Sequence, residues 1–132
     1  LEDSRILIDT SVIIDYLRKQ NKKSTKFWKL MSEYECTIST VTLYELYSGA
    51  KKDTQKEDVD ILESMLEIIP FDALQAKKAS EIFQTLKKKN KLIEFRDIFI
   101  ASCAISKKIP LATLNKKHFE RIKDIQLLEI IY

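Results

Sequence analysis

Four positions in this 132-residue chain carry oxygen-donor side chains in settings where chemistry is possible. Asp9 interrupts ILIDTSVIIDYL (residues 6–17), which is apolar on both sides of one carboxylate and its two following hydroxyls, Thr10 and Ser11. Glu45 lies in STVTLYEL (39–46), Asp97 in RDIFIASCAI (96–105), and Asn115 follows PLATL (110–114) directly. Singly, each has an ordinary explanation, because Asp, Ser and Asn cap helices and close turns. Gathered at one place, the three acids pose an electrostatic problem. Two unit charges about 4 Å apart at an effective dielectric near 20 repel by roughly 4 kcal/mol, a large share of a small domain's stability. A divalent cation removes that repulsion. Oxygen donors with a single histidine, His118, and no cysteine pair favour hard Mg²⁺ or Mn²⁺ over Zn²⁺. Such an ion keeps waters, one of which can attack a phosphodiester once deprotonated, so the chemistry on offer is metal-assisted hydrolysis.

That chemistry needs elements that bring the four positions together. Short apolar runs at 5–9, 35–39, 67–71, 110–114 and 126–131 predict strands. Helical-period stretches at 11–18, 25–33, 41–51, 56–65, 74–89, 97–107 and 116–122 separate them. Leu43, Leu46, Tyr47 and Ala50, like Ile98, Ala101, Ile105 and Ile109, recur at helical spacing and would face a sheet. The alternation predicts an α/β fold: a three-layer α/β/α sandwich around a central, mostly parallel sheet of about five strands. In open sheets of this kind ligands bind beyond the carboxyl ends of the strands. Asp9 ends the first strand there and Asn115 follows the fourth. Glu45 falls in the first or second turn of the helix after the second strand, and Asp97 heads an almost wholly apolar helix.

Composition bounds the rest. With 45% hydrophobic residues and no linker, repeat or low-complexity tract, residues 1–132 read as a single domain. Cys36 and Cys103 are too few for a disulfide scaffold, no run approaches the roughly 20 apolar residues of a membrane helix, and no signal-type segment opens the chain. The expectation is a cytoplasmic protein away from the membrane. A net charge of +3 with mixed signs permits a polyanionic partner without demanding one. The lysine clusters at 19–29, 86–91 and 106–108, with Arg96, could grip phosphates or simply form solvated faces. Phe27 and Trp28 could stack on bases, but core or interface is the commoner use. Glu94 and Asp15 read as surface acids, Asp72 as a helix cap, Cys103 as a buried apolar side chain, and His118 as surface or packing, since no nucleophile partners it.

The ordered set IDTSVIIDYL, TVTLYEL, DIFIASCA and LATLNKKHF is similar to the PIN-domain ribonucleases and most resembles the VapC-like toxins of bacterial and archaeal toxin-antitoxin pairs. The likeness spans nearly the whole chain in motif order, spacing and length. It implies that Asp9 is the first metal-binding aspartate, Glu45 the glutamate of the second motif, and Asp97 a principal metal ligand alongside Asp9. Thr113 and Asn115 match the fourth motif, where many relatives carry Asp, so a fourth acid is missing and a second ion is less secure. Ser11 matches a position that supports an acid or a water. The resemblance implies an Mg²⁺- or Mn²⁺-dependent endoribonuclease toxin acting on RNA, a cognate antitoxin protein and a homodimer. Two other readings stay open: a catalytically silent PIN-like RNA-binding or scaffold module, which Asn115 allows, and a phosphoryl-transfer or receiver-type domain. Against the last, Ser11 stands where a D-x-D phosphatase carries its second Asp.

Overall fold

A computed structural model describes residues 4–130. The first strand explains how three layers arise. In β1 (Arg5–Ile8) the side chains alternate, so Ile6 and Ile8 enter one apolar core and Leu7 enters another on the opposite face. Helices α1 (Thr10–Arg18), α2 (Lys26–Glu33), α3 (Thr40–Gly49) and α4 (Asp53–Met65) contribute Val12, Ile13, Phe27, Leu30, Leu46, Val59 and Leu62 to the first core. Helices α5 (Ala73–Lys88), α6 (Phe95–Lys107) and α7 (Lys116–Phe119) supply the second, through Ala79, Ile82, Leu86, Ile98, Ala101 and Phe119. Strands β2 (Glu35–Ser39), β3 (Glu67–Ile69) and β4 (Leu111–Ala112) complete a fully parallel sheet in the order β3-β2-β1-β4. Buried on both faces, it reads as near-continuous apolar runs.

The expected fifth strand does not form within the described residues. Residues 126–130 touch β4 through one parallel bridge, Leu111 with Leu127, because β4 is only two residues long and offers no ladder to extend. Leu128 and Ile130 pack against the first core instead, and Ile131 lies outside the described residues. The last helix ends at Phe119, three residues short of its expected end. Asp72 caps α5 as expected, accepting a hydrogen bond from the Gln75 backbone N–H at 2.9 Å. Both cysteines are buried free thiols. Among the described residues no helix is long and apolar enough to cross a membrane.

The topology fixes where a site can be. The chain leaves β1 for β2 and β3 on one side and returns to place β4 on the other, so the connections diverge at the β1/β4 seam. A crevice opens beyond the carboxyl ends at such a switch point. Asp9 and Thr113 are the residues that follow these two strands.

Candidate active site

Asp9 is 2% exposed and occupies the N-cap position of α1, yet its carboxylate accepts no capping bond from that helix. It is oriented by hydroxyls. Ser11 Oγ donates to Asp9 Oδ2 at 2.6 Å, and Thr113 Oγ1 donates to the same oxygen at 2.8 Å. These hydroxyls are aimed in turn by backbone amides: Leu114 N–H donates to Ser11 Oγ at 3.1 Å and Asn115 N–H to Thr113 Oγ1 at 2.9 Å. The Asp9 N–H is tied to the Ala112 carbonyl at 2.9 Å. Two strand ends thus fix one buried carboxylate. Both donors use Oδ2, and among the described residues none donates to Oδ1.

Glu45 is positioned from the same edge. Ser39 Oγ caps α3 by accepting from the Val41 N–H at 3.1 Å, which starts the helix as β2 ends and brings Glu45 round one turn later. Thr10 Oγ1 donates to Glu45 Oε1 at 2.8 Å and lies 3.0 Å from Thr42 Oγ1. Arg96 Nε stands 3.8 Å from Glu45 Oε2, while its NH2 nitrogen is 2.5 Å from Glu94 Oε2. Asp97 lies in the first turn of α6, where it makes no cap, and its Oδ2 is 3.5 Å from His118 Nδ1.

The electrostatics show that the three acids share one region. Burial pushes the Asp97 carboxyl up to about 6, the charges of Asp9 and Glu45 add to the rise, and His118 opposes it. Burial also raises Glu45, against the Thr10 hydrogen bond and Arg96, with the Asp9 charge raising it further. Among the described residues no three Asp, Glu, His or Cys side chains are grouped so that together they could hold a metal ion, so the expected three-carboxylate ligand set is not preassembled. An open set suits a hard ion that keeps several waters and uses one or two carboxylates. The donor chemistry fits such an ion: the set is all oxygen and like-charged, with an Asp9 oxygen that no described donor uses.

The structure therefore brings Asp9, Glu45, Asp97, Ser11 and Thr113 to one edge. Asn115 reaches it through its backbone, as its N–H supports Thr113, while the residue itself is exposed. Sequence reasoning missed Thr10; His118 is exposed, as its surface reading has it, and what that reading lacked is its approach to Asp97. The signals were present: Thr10 lies beside Asp9, and His118 is one helical turn beyond Asn115. Phe27 is fully buried and packs edge-on against Tyr16 at 5.0 Å, so it is core, whereas Trp28 is exposed beside Lys23.

Residues 6–125 match the PIN domain family. Over 126 residues the chain is 39% identical to "Ribonuclease VapC1" of Methanocaldococcus jannaschii, covering 96% of this chain and 87% of that protein. It is 32% identical over 133 residues to "Ribonuclease VapC" of Rickettsia bellii, covering 95% of this chain and 96% of that one. Its fold superposes with a TM-score of 0.83 on a chain of the VapBC2 complex from Rickettsia felis, solved bound to a DNA fragment from its promoter. That match has 28% identity and covers 94% of this chain and 97% of the other.

Proposed function

This chain belongs to the PIN domain family, and on that premise we propose that it is a metal-dependent endoribonuclease, the toxin of a toxin-antitoxin pair. One observation carries the reading: the Asp9 charge acts on both Glu45 and Asp97, and that of Glu45 on Asp97, at the strand-end crevice of a chain whose relatives are named ribonucleases. Asp9 and Asp97, with Glu45, would hold Mg²⁺ or Mn²⁺, which when bound supplies an activated water and neutralises charge on the phosphate. The protein's own groups do the positioning. Ser11 and Thr113 lock the Asp9 carboxylate in one orientation by occupying Oδ2. Thr10 fixes Glu45 through Oε1, leaving Oε2 to accept the proton of the attacking water, a role that its raised affinity for protons suits. Arg96, whose Nε stands 3.8 Å from Oε2, opposes that rise. The Asn115 backbone N–H holds Thr113, and its side-chain amide would stand in for a fourth acid.

A cognate antitoxin, a homodimer and a cytoplasmic RNA substrate complete the reading. The test is purified protein with RNA, with and without Mn²⁺, followed by sequencing of the cleaved ends. Asp9→Asn and Glu45→Gln are expected to slow cleavage by about 100-fold or more, and the mapped ends name the substrate. Cleavage undiminished in both variants would remove the catalytic assignment. The silent-module and receiver-type readings have no comparable observation behind them.

A further inference from the structure

Beside the acids lies a depression of about 560 Å³ whose wall includes Lys26, Thr113, Asn115, Lys116, Lys117 and His118. Two side chains make it continuous with the site: Thr113 holds Asp9 at 2.8 Å, and His118 stands 3.5 Å from Asp97. Its cationic side chains come from opposite ends of the sequence, Lys26 from the start of α2 and Lys116 and Lys117 from α7, so only the fold assembles them. On the far side of the acids Arg96 is already opposed by two carboxylates, Glu94 and Glu45. Among the described residues the Lys116 ammonium is paired with the 84% exposed Glu129 at 3.7 Å, a weak surface pair that a phosphate can replace.

From this geometry we infer that the groove between α2 and α7 is the path of the RNA backbone, holding the phosphates that flank the bond over the acids. The inference rests on the ribonuclease reading and adds to it the direction in which the strand leaves the site. An acidic polypeptide is the competing occupant. RNA is favoured because the groove opens directly onto the groups assigned to hydrolysis, and a strand being cut must continue beyond them.

The test uses the triple variant Lys26→Ala/Lys116→Ala/Lys117→Ala beside a charge-matched control, Lys51→Ala/Lys107→Ala/Lys123→Ala. Lys107 ends α6, and Lys51 lies two residues beyond the end of α3, both at the ends of those helices remote from Asp97 and from the Ser39 cap. Binding of a fluorescent single-stranded RNA is measured by anisotropy in EDTA across a salt series. For a single strand the slope of log affinity against log salt changes by ~0.7 for each phosphate that is no longer neutralised. The groove variant is expected to flatten the slope by about 2 and to weaken low-salt binding by about tenfold or more, with the control near wild type. In cleavage its KM rises while kcat holds, as removal of uniform binding requires. Wild-type binding and cleavage with an unchanged slope in the groove variant, or equal weakening in both variants, overturns the path and leaves the ribonuclease reading intact. Abolished polyglutamate binding with RNA binding unchanged assigns the groove to an acidic polypeptide and likewise overturns it. A wild type that neither binds nor cuts RNA overturns both readings.

Discussion

At the residue scale, Asp9 shows how a buried carboxylate is held by hydroxyl donors. Two hydroxyls, each pinned by a backbone amide, donate to one of its oxygens. Thr113→Val keeps the shape and removes one donor, so it is expected to cost about 1.5–3 kcal/mol in urea unfolding, the range for a hydrogen bond to a charged group. Asp97 behaves differently, because its carboxyl is raised from 3.8 to about 6 on folding. The folded state therefore holds this proton more tightly than the unfolded chain. The group's contribution to stability is fully present below about pH 4 and is lost as pH rises through about 6. In EDTA, Asp97→Asn is expected to melt above wild type at pH 7, and the gap is expected to close on acidification towards about pH 4. A constant gap across that range would contradict the assigned coupling. The acids themselves were legible in the sequence, since each stands out against apolar neighbours. The hydroxyl that fixes Glu45 was not, because Thr10 and Glu45 are 35 residues apart and a threonine after a strand reads as a turn residue.

At the scale of elements, the lysine-rich segment after α1 is divided by the fold into different jobs. Lys22 Nζ donates to the carbonyls of Tyr16, Leu17 and Lys19, each at 2.8 Å, and so satisfies the carboxyl end of α1. Lys23 lies 6.0 Å from the Trp28 ring centre, and Lys26 lines the groove beside the acids. Lys22→Met is therefore expected to lower stability by about 1–2 kcal/mol while leaving the salt dependence of RNA binding unchanged. Chemical denaturation and anisotropy check the two halves of that statement separately. The order of strands and helices was readable from periodicity. Their ends were not: α3 begins at Thr40, where a serine cap is available, and the run at 126–131 looks like a strand although it meets the two-residue β4 at a single bridge, Leu111 with Leu127. Local pattern cannot show how long a neighbouring strand will be.

At the scale of the molecule, the sheet separates two apolar cores, and each holds one cysteine. Cys36 belongs to the core beneath α1 and α3, and Cys103 to the one beneath α5 and α6. Burial pushes the Cys36 thiol up to about 11 and the Cys103 thiol up to about 12. The rise disfavours the thiolate, which is the nucleophilic form. Labelling by a thiol reagent is expected to occur only through opening of the fold, so the rates at the two cysteines, followed by mass spectrometry, report whether the two cores open together. Rapid labelling of Cys103 without denaturant would contradict this packing. The seam between β1 and β4 has a consequence of another kind. One of the two hydroxyls that orient Asp9 comes from a residue 104 positions later, so a nascent chain has no assembled scissors until the segment carrying β4 has docked beside β1. A product truncated before β4 is therefore expected to fold without a fixed Asp9 carboxylate.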